Sequence, residues 1–384
     1  MTLLGACLAW GAALLIGYVY VGYPIALTMF AKWRKWDIQK AEITPSVTVV
    51  ISAYNEADII SEKLRNTVGL DYPRDRLEVI VVSDASSDQT DEIVASFADE
   101  DVTLLRMPTR GGKTVGLNAA LRIAKNNIIL FSDANIMYRK DTVRRLVANF
   151  ADRSIGCVTG DSQYAEEAES EAHKQENTYW GYERYIRTLE SQIGSTVGGD
   201  GAIFAIRREL YTPLSPESIN DLVIPLQIVL KGYRAIFEPA AIGIEPSAGD
   251  FRKEFRRKRR IVNRSWRGVM SVPEVLNPTK VGIFAWQVWS HKVLRWLVLP
   301  LLVIAVTGCV LALPLGFIYQ AGVIGFVLSL VFAALGGTSS SIRGPLGRVA
   351  QGLFYFYLVN VAAVLGVARA LVGEVETVWS PERN

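Results

Sequence analysis

Histidine and cysteine are both scarce in this chain. Its 384 residues include two histidines, His173 and His291, and three cysteines, Cys7, Cys157 and Cys309, which lie far apart. No zinc-ligand spacing and no disulfide framework follow from them. Two histidines and the lack of a Gly-x-Ser-x-Gly elbow argue against a histidine-based hydrolase. No Gly-x-Gly-x-x-Gly follows the first predicted strand. Gly111-Gly112-Lys113-Thr114 resembles the end of a phosphate-binding P-loop, but Met107 stands where the earlier glycine is required. A strong charge of either sign is also missing. Lys and Arg number 41 against 38 Asp and Glu, a net charge of +3, which gives no ground for a nucleic-acid partner. Half of the residues are hydrophobic and 21% are charged, which excludes both a disordered chain and one wholly buried in lipid.

Whole stretches lack charge. Residues 1–31, 296–342 and 349–368 contain no Lys, Arg, Asp, Glu or His. A span needs about 20 apolar residues. Leu3–Phe30 meets that length and ends at Lys32-Trp33-Arg34-Lys35. The run is too long for a cleaved signal peptide and no basic residue precedes it, so a retained helix is expected. The cations after it predict a cytoplasmic middle domain by the positive-inside rule. Residues 296–342 are long enough for two spans, broken at Leu313-Pro314-Leu315-Gly316, and Val349–Ala368 makes a last one. Arg343 and Arg348 lie in the loop between. Residues 280–295 carry Trp286 and Trp289 with flanking cations and predict a helix lying in the membrane interface. The expected organisation is therefore an N-terminal transmembrane helix (1–35), a soluble domain (45–250), basic and amphipathic interface helices (251–295), three C-terminal transmembrane helices (296–372) and a tail (373–384). This describes a multi-pass protein of the inner (plasma) membrane.

In the middle, strands alternate with helices. Val47–Ile51, Leu77–Val82, Val102–Leu105 and Ile128–Phe131 read as buried strands, with helical patterns at 57–67, 88–98 and 118–125. That alternation predicts an α/β domain with a doubly wound, mostly parallel sheet. Ligands of such sheets bind beyond the carboxyl ends of the strands. Here three strands run into Asn55-Glu56, Asp84 and Asp133. These residues either cap the following helices or form an acidic, amide-rich site. Sugar transfer from a nucleotide diphosphate fits a carboxylate-rich site without histidine. The donor needs a base and ribose clamp and a divalent ion on its diphosphate, for which Asp and Asn oxygens suit Mg2+ or Mn2+. The acceptor hydroxyl needs a carboxylate base, and the departing diphosphate needs cations.

Six segments stand in a telling order: Val-Thr-Val-Val-Ile-Ser-Ala-Tyr-Asn-Glu (47–56), Val-Val-Ser-Asp-Ala-Ser-Ser-Asp-Gln-Thr (81–90), Gly-Gly-Lys (111–113), Ser-Asp-Ala-Asn (132–135), Gly-Gly-Asp-Gly-Ala-Ile-Phe-Ala-Ile-Arg-Arg (198–208) and Asn-Asp-Leu (220–222). Over roughly residues 45–270 the chain resembles a membrane-bound family 2 glycosyltransferase, similar to the chitin-oligosaccharide, hyaluronan and cellulose synthase group. The resemblance implies a GT-A fold, inversion at the anomeric carbon and a UDP-sugar donor. It puts Tyr54, Glu56, Asp84 and Lys113 at the nucleotide. Asp133 and Asn135 fall on the metal motif, here Asp-Ala-Asn instead of Asp-x-Asp. Asp221 stands at the position of the catalytic base, with Asn220 replacing the usual acidic neighbour; the alternative for Asp221 is a helix N-cap. Polymerising relatives carry Gln-x-x-Arg-Trp, whereas this chain has Arg260-Ile-Val-Asn-Arg264-Ser-Trp266, making Arg264 the candidate for the diphosphate and Trp266 for the acceptor.

Gly199, Asp200 and Gly201 read either as a close-approach loop for the acceptor, with Asp200 bonding a hydroxyl, or as a tight turn. The helix at 172–193 carries Tyr179, Trp180, Tyr182 and Tyr185, a stripe that either stacks on sugar or packs. Nine cations between Arg252 and Arg267 are opposed locally only by Glu254, and part of them is expected to meet anionic lipid. The leading expectation is transfer to a lipid-linked or saccharide acceptor. The alternatives are a processive synthase that extrudes its polymer, which the broken Gln-x-x-Arg-Trp motif disfavours, and an inactive membrane scaffold.

Overall fold

The structure, a computed structural model, describes residues 1–165, 171–246, 251–338 and 344–375. The Tyr179 side chain, Arg343 and the end of the tail lie outside the described residues. The chain divides into two compact units. One comprises Met1–Thr28, Asp250–Trp266 and Trp289–Glu374; the other comprises Met29–Gly249, Arg267–Val288 and Val375–Asn384. The division falls inside the basic helix Phe251–Ser271, not at its start.

The second unit is built on one eight-stranded sheet. Its strands are β1 (Val47–Ala53), β2 (Leu77–Ser83), β3 (Val102–Arg106), β4 (Ile128–Asp133), β5 (Met137–Tyr138), β6 (Ile155–Tyr164), β7 (Ile203–Arg207) and β8 (Arg234–Glu245), in the order β3-β2-β1-β4-β7-β6-β8-β5. β3, β2, β1 and β4 are mutually parallel. β7 runs antiparallel to both β4 and β6, β8 is parallel to β6, and β5 antiparallel to β8.

The β-branched runs place alternate residues on opposite faces, and both faces are covered, as expected of parallel strands. Val47, Val49 and Ile51 of β1 join Ile60, Leu64, Val143 and Leu146 on one side. Val50, Ile80, Ile129 and Phe131 join Leu117, Leu121, Val223 and Ile228 on the other. Register then sets the site: Ala53 lies opposite Ser83, and Ser52 opposite Asp133, so β1, β2 and β4 end at one level. The chain leaves β1 with β2 on one flank and β4 on the other, the crevice at which open α/β sheets bind ligands.

In the other unit Thr2–Trp33, Phe317–Thr338 and Pro345–Leu371 are long and apolar enough to cross a bilayer. The break between spans falls at the 3-10 turn Leu313–Leu315, as the sequence predicts. The span expected to start at residue 296 differs. Its helix, Val298–Leu311, has 14 residues, and it follows Ile283–Trp296 across a 66° bend. Only the bent pair together reaches the length of a span. The residues expected to form the interface helix make up Ile283–Trp296, the helix before that bend. Pro300 favours the bend: it has no N–H for the Trp296 carbonyl, and in a straight helix its ring would clash with that carbonyl. Thr2–Trp33 packs closely on Val298–Leu311; a Cβ on Gly5 would stand 2.6 Å from that of Leu311.

Candidate active site

The turn leaving β1 is bolted to the turn leaving β2. Asn55 adopts a left-handed conformation (φ +52°), with its N–H donating to Ser86 Oγ at 3.1 Å and its side-chain oxygen accepting the Ser87 N–H at 2.8 Å. The Glu56 N–H donates to Thr90 Oγ1 at 2.8 Å, and Glu56 is buried. These bonds use Ser86, Ser87 and Thr90 of the second motif to hold Tyr54 and Glu56 of the first. The Arg110 guanidinium lies 3.8 Å from the centre of the Tyr54 ring, a cation–π contact.

Asp84 is buried, and its carboxylate accepts the Gly111 N–H at 2.8 Å and the Gly112 N–H at 2.9 Å. Gly112 has φ +84°, which only glycine adopts without strain, and the next helix therefore begins at Lys113, five residues before the expected start at Asn118. Asp84 thus fixes the point from which Lys113 extends. The Lys113 ammonium forms an ion pair with Asp133 and donates to the Gly201 carbonyl at 2.8 Å. Asp221 meets the same place: a Cβ on Gly201 would lie 3.2 Å from Asp221 Oδ2 and 3.6 Å from Lys113 Nζ. Asp84, Lys113, Asp133 and Gly201 are therefore linked through hydrogen bonds beyond the strand ends, and the Asp221 carboxylate lies beside Gly201.

Asp221 is not an N-cap. The helix is Asn220–Leu230, Ile219 is its cap residue, and Asp221 sits inside the first turn. Pro225, four residues on, has no N–H for the Asp221 carbonyl. That carbonyl accepts the Gly199 N–H at 2.5 Å instead, docking the Gly198–Gly201 loop on the start of the helix.

Asp200 is buried. Its carboxylate accepts from Ser162 Oγ and from the Ala202 N–H, and its own N–H donates to Thr159 Oγ1 at 2.8 Å. These bonds hold the Gly198–Gly201 turn in place. The Arg187 guanidinium lies 5.6 Å from the Trp180 ring centre. Arg264 and Trp266 belong to the unit of apolar helices, where Trp266 packs on Trp296 at 5.9 Å between ring centres. Within the basic helix Glu254 pairs with Arg257 and Lys258, and Arg267 pairs with Glu217.

Asp133 and Asn135 are partly exposed at the end of β4. Among the described residues no three Asp, Glu, His or Cys side chains converge as a metal cage. One carboxylate that already faces a cation, with one amide oxygen nearby in sequence, fits a Mg2+ or Mn2+ ion whose other ligands are substrate phosphate and water.

Sequence reasoning passed over Arg110, Lys63 and Tyr138. Lys63 is fully buried, and burial lowers its amine to about 7 against the opposing pull of Asp133 and Glu245. A signal was present: Ile60, Lys63, Leu64 and Thr67 have the spacing of one helix face, and all four are buried.

Residues 48–213 match the family Glycosyl transferase family 2, so the chain carries a family 2 glycosyltransferase domain, and its mixed α/β sheet is of the GT-A type. A mannosyltransferase from Pyrobaculum calidifontis, solved with GDP-Man and Mn2+, is 25% identical with a TM-score of 0.72, over 96% of this chain and 99% of that one. The beta-monoglucosyldiacylglycerol synthase of Trichormus variabilis is 30% identical over 39% of this chain and 33% of its own length. The poly-beta-1,6-N-acetyl-D-glucosamine synthase of Staphylococcus aureus is 24% identical over 54% and 52% respectively. The matched region is thus a third to about half of these two curated relatives.

Proposed function

We propose that this chain, with its family 2 glycosyltransferase domain, moves a sugar from a nucleotide diphosphate to a lipid-linked or saccharide hydroxyl, with inversion at the anomeric carbon. The observation that carries the proposal is Lys113, whose ammonium touches Asp133 and the Gly201 carbonyl beside the Asp221 carboxylate. Tyr54, Glu56 and Asp84 hold the base and ribose, and Lys113 meets the diphosphate. Asp133 and Asn135 would hold Mg2+ or Mn2+, which would supply positive charge opposite the departing diphosphate. Asp221 takes the proton from the acceptor hydroxyl as that oxygen bonds the anomeric carbon and the nucleoside diphosphate leaves. The Gly199–Gly201 backbone lies where a small side chain would crowd Asp221, leaving room for the incoming hydroxyl. Trp180, Arg264 and Trp266 are candidates to contact acceptor or diphosphate. The apolar helices anchor the protein in the inner membrane as a multi-pass protein with a cytoplasmic catalytic domain. Part of the basic helix meets anionic lipid.

UDP is the proposed nucleotide. A GDP-sugar donor is the second reading, favoured by the Pyrobaculum enzyme, whose likeness extends over nearly the whole chain. The deciding experiment incubates the purified protein, in detergent with native lipid, with UDP- and GDP-sugars with and without Mn2+, and measures nucleotide release. Release from one donor class identifies the nucleotide; no release from any donor rejects the proposal.

A further inference from the structure

Two segments must keep their spacing for this reaction: Asp133–Tyr138, running from the end of β4 through β5, and the loop Gly198–Ala202 before β7. Lys113 ties them on one side through Asp133 and the Gly201 carbonyl. A second tie is made by buried residues. The Lys63 ammonium donates to the Ile136 carbonyl at 2.7 Å and lies 3.9 Å from the centre of the Tyr138 ring. Tyr138, itself buried, donates its hydroxyl to the Ala202 carbonyl at 2.9 Å. Asn66 clamps the Tyr138 backbone at both ends, donating to its carbonyl at 2.9 Å and accepting its N–H at 2.8 Å. A wholly buried ammonium is costly unless its partners are fixed. These two partners, the Ile136 carbonyl and the Tyr138 ring, both belong to the segment that carries Asp133 and Asn135.

We propose that Lys63 and Tyr138 are positioning residues. They form an internal strut, Lys63 to Tyr138 to Ala202, that sets the distance between the Asp133–Asn135 end of β4 and the Gly199–Gly201 backbone beside Asp221. The role in transfer rests on the glycosyltransferase reading above; the coupling of the two segments does not.

The test uses the full-length protein in detergent. Tyr138→Phe keeps the ring under Lys63 and removes only the hydroxyl; Lys63→Met removes the ammonium. Amide hydrogen exchange without nucleotide should rise in peptides covering 133–138 and 199–204 and stay unchanged in β2 and β3. With whichever donor the wild type turns over, Tyr138→Phe should lower kcat by about tenfold or more while donor KM moves little, because misplacement falls on the reacting geometry. Unchanged exchange in both segments, or unchanged kcat in Tyr138→Phe, overturns the strut. If Lys63→Met fails to fold, Tyr138→Phe alone decides. If the wild type turns over no donor, the functional reading fails, and exchange still judges the strut.

Discussion

Asp221 illustrates how one residue draws its role from others. Its backbone carbonyl holds Gly199, and its carboxylate lies beside Gly201 and near Lys113. Asp221→Asn should abolish transfer while nucleotide binding, read by calorimetry, stays near wild type; transfer near the wild-type rate would remove Asp221 from the role of base. Gly201→Ala tests the same point sterically. The added methyl would stand 3.2 Å from Asp221 Oδ2, so kcat should fall by about tenfold or more with the fold retained in a thermal melt. Lys63 gives a prediction about pH. Its folded value is about 7 and its ordinary value 10.5, so above 7 the unfolded chain binds the extra proton and stability rises with pH. Burial raises the Cys157 thiol above its ordinary 9.0, which acts in the opposite sense near and above that value. Denaturation midpoints between pH 7 and about 8.5 should therefore rise, and Lys63→Met should flatten the slope.

At the scale of elements, Pro225 makes the helix Asn220–Leu230 a docking point. Pro225→Ala restores an N–H that competes for the Asp221 carbonyl. It should loosen Gly198–Gly201, seen as faster exchange of the Gly199 amide, while helix content by circular dichroism holds or rises slightly. Legibility also varied by element. The β-branched runs of β1 to β4 announced their strands, because a strand buried on both faces leaves a dense apolar signature. The polar residues at their ends were legible for the same reason: they begin where that signature stops. The start of the Lys113 helix was not legible, since Gly111 and Gly112 read as loop until Asp84, far away in sequence, captures their amides. Nor was the bonding of Asp200, whose partners Ser162 and Thr159 come from β6, a strand without a comparable apolar run. The break at Pro300 was written in the chain but outweighed by the uninterrupted apolar composition around it.

For the molecule as a whole, the question is what the cations between Arg252 and Arg267 do. If lipid attraction rests on many of them, Arg264→Ala should leave flotation with anionic vesicles nearly intact while lowering nucleotide release; an equal loss of both would assign Arg264 to lipid. Conversely, raising salt should weaken flotation on anionic vesicles more than on neutral ones, because the attraction is screened.

The level ending of β1, β2 and β4 works as a ruler. One residue added or removed inside any of these strands would offset its terminal group by about 3.3 Å from the other two and turn its side chains onto the wrong faces. Tolerated insertions should therefore collect in the segments that follow the strand ends. New acceptor preferences can evolve there while the spacing among Glu56, Asp84 and Asp133 stays untouched.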